Sequence, residues 1–209
     1  MDAQARTRRF LCYMGILLPT LDWVGAVVFS GWVWNVPSIS ATHYAGSYLV
    51  FESLMCVTGV FLLYYDGYDI RDKWLARIAG IGGLALAFFP CALPDYPVKN
   101  FFMLPANVTN VIHLAGAGVF FIFLFIIIFF QFTKSGGKMT PQKVRRNLVY
   151  RVCGIVMLFA LVAGFGASAL FSIQGVVYLG EKIALEAFGS AWLVKGEAVQ
   201  QLNDKKWIR

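Results

Sequence analysis

The chain has few charged residues and only two histidines. Of its 209 residues, 14% are charged and 59% are hydrophobic, a balance too apolar for a soluble globular domain. It contains no nucleotide-binding glycine fingerprint, no G-x-S-x-G nucleophile elbow, no C-x-x-C and no H-E-x-x-H. No soluble catalytic domain fits this composition, so we expect any chemistry to take place within the bilayer or at its edge.

The four cysteines do not form a disulfide framework. Cys56 lies in the middle of one apolar stretch and Cys91 near the end of another. Groups at such different depths cannot reach the separation of about 6 Å between Cα atoms that a disulfide needs. Cys12 and Cys153 share a depth, but it is the depth expected to face the reducing cytoplasm. We interpret all four as small apolar residues.

Six long apolar stretches occupy most of the chain. Each is close to the roughly 20 residues that a helix needs to cross a bilayer. They cover about 10–33, 44–65, 74–93, 107–132, 148–172 and 176–194. The sequence therefore predicts an all-α polytopic membrane protein. It would be a six-transmembrane-helix bundle that forms one domain over 1–209, with a polar cytoplasmic tail at 195–209.

The basic residues are unequally distributed among the connections. Of the 18 Lys and Arg residues, all but Lys99 and Lys182 lie in or beside the N-terminus, the second and fourth connections or the C-terminus. Because cytoplasmic loops carry the excess of Lys and Arg, both termini are predicted to be cytoplasmic. Topology and contact with anionic headgroups account for the net charge of +7. We therefore expect membrane lipids, and no nucleic acid, as partners.

Two spans are rich in small residues and one is bulky. Glycine and alanine recur on one face of spans 3 and 5, which predicts that these spans are central or tightly paired. Residues 120–132 of span 4 are bulky on all sides. They predict a surface that faces lipid or docks onto a larger membrane complex.

Five ionisable residues lie within the apolar stretches or at their mouth. A charge in hydrocarbon costs about 2.5 to 3.5 kcal/mol on insertion scales, so each such residue needs a physical reason. At roughly 1.5 Å per residue, most of them share the outer half of the bilayer. They are Asp22, His43, Glu52, His113 and Glu181. Their depth predicts an outward-facing polar pocket, formed by spans 1, 2, 4 and 6, that binds a lipid headgroup or a small polar solute.

Several of these residues have a second interpretation. Asp22 is near Pro19 and would satisfy backbone groups that the proline frees. His113 would hydrogen-bond across helices, and His43 would be an ordinary loop residue. Glu52 has no evident local cation, which makes it the strongest ligand-binding candidate.

The charges on span 6 and in the second connection are expected to pair locally. Glu181 is followed by Lys182, but adjacent residues point apart on a helix. Glu186 is instead predicted to pair with Lys182, four residues earlier. The charged turn 66–73 is predicted to pair within itself.

Five blocks resemble a group of six-span bacterial membrane proteins with a domain of unknown function. The blocks are 38–44, 63–69, 87–90, 150–154 and 186–197. More distantly, the chain resembles the CREST superfamily of alkaline ceramidases and related lipid-modifying hydrolases. Those typically have seven spans and an intramembrane zinc held by three histidines. The first resemblance implies a protein of the bacterial cytoplasmic membrane.

These observations leave three functional interpretations. The leading one is non-enzymatic and without a cofactor: binding in a transport, sensing or accessory-subunit role. The second is a metal-dependent intramembrane lipid hydrolase, in which a divalent metal such as zinc would be held by His43, His113, Glu52 and Glu181. The third is a structural subunit that docks through span 4.

Overall fold

The computed structural model describes residues 3–32, 36–98, 102–135, 137 and 139–204. Within these ranges all regular elements are helices and there is no strand. The long helices are α1 (Ala3–Ser30), α2 (Tyr48–Leu63), α3 (Ile70–Phe88), α4 (Ala106–Ile126), α5 (Pro141–Phe171) and α6 (Val176–Lys195). The shorter elements are a 3₁₀ helix (Ser40–Tyr44), a π-helical segment that continues α4 (Ile127–Gln131) and a 3₁₀ turn (Gln200–Leu202). Two features of the predicted topology, the end of span 1 at Val33 and the outer residue Lys99, lie outside the described residues.

In the part of the chain that the structure describes, three helical stretches are long and apolar enough to cross a membrane. They are Arg8–Ser30, Ala106–Gln131 and Pro141–Phe171, with 23, 26 and 31 residues. The chain is therefore an all-helical protein with membrane association. Helix α2 is apolar but has only 16 residues, so it rises about 24 Å against a hydrocarbon core of about 30 Å.

Two helices begin earlier than the predicted spans because of their capping residues. The carboxylate of Asp69 accepts hydrogen bonds from two backbone amides and starts α3 four residues earlier than predicted. Helix α3 ends at Phe88 rather than near 93, since Pro90 has no amide to donate. Thr140 caps α5, which begins with Pro141 seven residues before the predicted start.

The helices pack in chain order around the bundle. Each of α1 to α3 packs on the next helix, α5 packs on α6, and α6 closes back on α1. Helices α4 and α5 are the exception, because they hardly touch along their length. The π-helical segment after α4 does pack on α5, so the two are joined near one end only.

Glycines allow the closest helix pairs to approach. A Cβ atom on Gly80 of α3 would lie 2.7 Å from the carbonyl oxygen of Gly59 on α2. A Cβ atom on Gly180 of α6 would lie 2.6 Å from the carbonyl oxygen of Ala160 on α5. Both distances are too short for any side chain. Helix α3 is thus tightly packed on α2 and α4, and α5 is tightly packed on α6, rather than α3 and α5 on one another.

The bulky segment of span 4 is divided between core and surface. Phe120, Ile127 and Phe132 are each 1% exposed and belong to the main hydrophobic core. Ile122 and Phe130 are exposed. The surface that was predicted to face lipid or a partner is therefore limited to the outer side of this segment.

Candidate functional site

A cavity of about 580 Å³ lies inside the bundle. All six helices contribute to its wall, together with residues 37–40. Most of the wall is apolar, and its polar side chains lie near the ends of the helices that are remote from the chain termini. They are Ser38, Ser40, Asn110, His113, Ser168 and Glu181. The volume falls in the range of roughly 300–1,000 Å³ that is typical of small-molecule sites.

The cavity opens sideways between α4 and α5. Leu114, Gly118 and Ile122 follow one another at single-turn spacing on α4, line the cavity and remain exposed. On α5, Leu158 and Phe165 are two turns apart, and they also line the cavity and remain exposed. We call this opening the α4–α5 gap. Both helices are among the candidate membrane-spanning stretches. The α4–α5 gap therefore opens on the side of the bundle, toward whatever surrounds these two stretches.

His113 is held in the cavity wall by the end of α3. Its Nδ1 atom lies 2.6 Å from the carbonyl oxygen of Phe89, one of the carbonyls that a helix C-terminus leaves unpaired. A carbonyl only accepts, so Nδ1 carries the proton and donates. In the neutral ring Nε2 is then an acceptor. The side chain is 2% exposed, which makes Nε2 the imidazole nitrogen left for contact with a cavity occupant.

Glu181 ties α6 to the segment that covers one end of the cavity. Its Oε2 atom accepts a hydrogen bond of 2.6 Å from the amide of Ile39, and the residue is 7% exposed. The second carboxylate oxygen remains to contact an occupant. Of the five candidate residues, His113 on α4 and Glu181 on α6 are thus the two that line this cavity.

His43 and Glu52 form a separate pair. The Nδ1 atom of His43, on the 3₁₀ helix, lies 3.0 Å from Oε1 of Glu52 on α2. Neither residue lines the cavity. Glu52 was expected to have no local cation, and the imidazole that approaches it comes from the preceding loop and not from the same helix.

Asp22 is buried away from the cavity wall. It is fully buried on α1, and no described residue hydrogen-bonds to either oxygen of its carboxyl group. It does not line the cavity. The suggestion that it serves the backbone near Pro19 is not supported either. The carbonyl oxygen of Pro19 instead accepts a 2.6 Å hydrogen bond from the hydroxyl of Tyr178.

The four residues weighed as metal ligands do not gather at one point. Among the described residues, no group of three or more His, Cys, Asp or Glu side chains is placed to hold a metal ion. His113 and Glu181 face the cavity, whereas His43 and Glu52 lie beside each other, 3.0 Å apart, outside it.

The predicted local pairs are confirmed on α6 and in the charged turn. Lys182 lies 2.9 Å from Glu186, and Lys73 lies 2.8 Å from Asp66. This contact with the Lys73 ammonium holds the pKa of the Asp66 carboxyl below its usual value.

The same turn is also bridged from a distant segment, which the sequence did not indicate. Lys134, after the π-helical segment, lies 2.8 Å from Asp69 and 3.0 Å from Asp72. The hydrogen bond from Lys134 lowers the pKa of Asp69 to about 2, with further support from backbone amides.

Comparison with known proteins gives no relative for this chain: no family model, no curated protein and no solved structure matches it. Functional interpretation therefore depends on the geometry of the cavity.

Two contributions to the cavity were missed from the sequence. Helix α5 was not included in the predicted pocket, yet Leu161, Phe165 and Ser168 form part of its wall. Only Ser168 is polar, so no chemical signal distinguishes this face. Asn110 also lines the cavity, where its Oδ1 accepts a 2.8 Å hydrogen bond from the amide of Ala92. Its position three residues before His113, on the same helical face, was the available signal.

Proposed function

We propose that this chain is a six-span protein of the bacterial cytoplasmic membrane that binds a single-chain, lipid-like amphiphile in its central cavity. Both termini lie on the cytoplasmic side. The amphiphile reaches the cavity from the bilayer through the α4–α5 gap. The function is binding, in a transport, sensing or accessory role, and no reaction is assigned to it.

The hydropathy and charge of the chain support the membrane topology. Helices α1, α4 and α5 already meet the length and hydropathy of a span. The shorter or more polar α2 and α3 lie between α1 and α4 in the bundle, and α6 lies between α5 and α1. Close packing at glycines such as Gly59, Gly80 and Gly180 buries residues that lower the hydropathy of these helices. The basic residues at the two termini and in the second and fourth connections favour the cytoplasmic side for that end.

The α4–α5 gap is the observation that carries the proposal. A cavity for a water-soluble solute would be expected to open toward an aqueous face, with polar groups along its length. This cavity opens between two lipid-facing helices and is apolar except at one end. An acyl chain suits the apolar part, since each buried methylene contributes about 0.8 kcal/mol.

The polar end suits a headgroup with both donor and acceptor groups. Nε2 of His113 accepts from the headgroup, and the free oxygen of Glu181 accepts as well. The hydroxyls of Ser38 and Ser40 rotate to donate or accept. In a site of low polarity such hydrogen bonds fix the depth and orientation of the bound molecule.

Native mass spectrometry of the protein in mild detergent tests this proposal. Palmitic acid and palmitoyl lysophosphatidylcholine are titrated into the wild type and into His113→Ala and Glu52→Gln. We expect saturable one-to-one binding of at least one amphiphile. His113→Ala should weaken it by about fivefold to tenfold, because one headgroup hydrogen bond is lost. Glu52→Gln is the matched control, because Glu52 does not line the cavity.

Two results would contradict the proposal. One is the absence of saturable amphiphile binding to a wild type that retains its thermal unfolding transition. The other is an equal loss of affinity in His113→Ala and Glu52→Gln, which would place the binding site elsewhere.

A further inference from the structure

A second pocket, of about 920 Å³, lies at the end of the bundle that carries the chain termini. We call it the basic pocket, because the described residues that line it include five cationic side chains and only three carboxylates. The cations are Arg8, Lys134, Lys143, Arg146 and Lys195, and the carboxylates are Asp69, Glu197 and Asp204. We propose that this pocket is an anion site, distinct from the central cavity, that binds a phosphate group.

Lys195 is the central reason for this assignment. It is the last residue of α6 and is only 5% exposed. Its ammonium donates a hydrogen bond to the hydroxyl of Tyr68 and lies 4.8 Å from the ring centroid of Phe132. It forms no ion pair with any described carboxylate. A buried ammonium with neutral partners is costly unless an anion completes its surroundings.

Further positive charge surrounds Lys195 without enough compensation. The ammonium of Lys143 donates a 2.9 Å hydrogen bond to the carbonyl oxygen of Phe132 and also has no ion pair among the described residues. Arg8, Lys143 and Arg146 all lie within electrostatic reach of Lys195. The carboxylate of Asp72 also lies within that reach, but it already pairs with Lys134. Cations that repel one another in a concave, partly dry site are stabilised by a bound anion.

A carboxylate from the tail of the chain already occupies part of the pocket. Asp204 lies 2.6 Å from Nη2 of Arg146 and accepts a 2.5 Å hydrogen bond from the hydroxyl of Thr140. These contacts hold the pKa of Asp204 below its usual value. Thr140 is also the N-cap of α5. The wall is therefore able to coordinate oxyanions, and Lys143 and Lys195 remain for further oxygens.

The mixture of groups favours phosphate over other anions. A guanidinium offers paired, planar donors, and lysine ammonium groups add point charge, which together match the several oxygens of a phosphate. The phosphate could belong to an anionic lipid headgroup or to a free ion, since the recognition chemistry is the same. The pocket lies where the proposed topology places the cytoplasmic headgroups, but its contacts do not depend on a ligand in the central cavity.

Two ligand arms on the reconstituted full-length chain test the proposal. In nanodiscs of phosphatidylcholine the protein is titrated with inorganic phosphate, and the shift in its thermal unfolding temperature is measured at constant ionic strength. In a second series the discs contain increasing phosphatidylglycerol. Saturable stabilisation by inorganic phosphate identifies a free anion, and stabilisation by phosphatidylglycerol alone identifies a lipid headgroup. Either result supports a phosphate site only if the variants below respond as expected.

The variants separate this pocket from general surface charge. Lys143→Gln should weaken binding of the active ligand at least about tenfold, since a charge-assisted hydrogen bond is lost. Asp204→Asn should tighten it, because it frees Arg146 and Thr140. Lys182→Gln removes the same charge from the opposite end of α6, where Lys182 pairs with Glu186, and should have no effect.

The proposal is overturned if neither ligand stabilises the wild type, or if Lys182→Gln and Lys143→Gln weaken binding equally. It is also overturned if Lys143→Gln binds as the wild type does. Lys143 is used rather than the buried Lys195, because removal of Lys195 could prevent folding. Amphiphile binding in the central cavity is measured on the same samples, so failure of one site is distinguishable from failure of the other.

Discussion

Replacing Gly118 by tryptophan should slow the exchange of a bound amphiphile without unfolding the bundle. Gly118 lies on α4 at the α4–α5 gap, and a Cβ atom there would meet no other atom within 4 Å. A side chain is therefore accepted at this position. Removing a glycine from a helix interior also adds roughly 0.5 kcal/mol to helix stability. The indole has room to pack against the exposed Leu114 and Ile122, one turn away on either side.

The expected slowing follows from the cost of moving that indole aside. An amphiphile that enters or leaves through the gap must displace the ring from its apolar neighbours. Exposing a packed apolar side chain costs about 1.5–3 kcal/mol. Each 1.36 kcal/mol in a barrier is a factor of ten, so release should be about 10- to 100-fold slower. The barrier acts in both directions, so the equilibrium dissociation constant should change less than the two rates.

Stopped-flow transfer of a fluorescent lysolipid from nanodisc-embedded protein to acceptor vesicles measures the release rate. Gly166→Trp is the matched control, since a Cβ atom at Gly166 of α5 also meets nothing within 4 Å and the residue does not line the cavity. Unchanged release from Gly118→Trp would show that the gap is not the route. Equal slowing in both variants would refute the reasoning as well.

Two further predictions concern stability. Gly180→Ala should lower the thermal unfolding temperature in detergent, because its Cβ atom would lie 2.6 Å from the carbonyl oxygen of Ala160 and overpacking costs about 1–3 kcal/mol. Gly166→Ala, which meets nothing, should raise that temperature slightly. Asp69→Ala should destabilise the protein more than Asp69→Asn, since asparagine still caps α3. The Lys134 contact lowers the pKa of Asp69 to about 2. The stabilisation that ionised Asp69 gives the fold should thus be complete above the ordinary pKa of an aspartate and be lost as the pH falls toward 2. An acid titration of unfolding should show this loss in the wild type and not in Asp69→Asn.

The position of the apolar helices could be predicted, but several of their ends could not. Span 6 was predicted at 176–194 and α6 covers Val176–Lys195, since turn residues bound a clear apolar run. Helix α5 begins at Pro141, before the predicted 148, because its first two turns are basic. Hydropathy detects the apolar part of such a helix, whereas the cap at Thr140 determines where it begins.

The site was predicted in part, since sequence gives depth but not direction. Five ionisable residues at similar depth were expected to share one pocket. Only His113 and Glu181 line the same cavity. His43 and Glu52 lie 3.0 Å apart outside that cavity, and Asp22 is buried and does not line it either. Whether two residues at one depth meet depends on the rotation of each helix and on the order of helices around the bundle, and a single sequence reveals neither.

The cavity itself results from the way the small residues are shared among the helices. Gly116 of α4 faces α3, where its Cβ atom would lie 3.2 Å from the carbonyl oxygen of Gly82, and Gly164 of α5 faces α6. Apart from Gly118, the α4–α5 gap is bordered mainly by larger side chains, among them Leu114 and Phe165. Backbones cannot approach closely across such faces, so the helices stay apart and leave the α4–α5 gap. The same pattern of glycines that closes the rest of the bundle therefore determines where the cavity opens.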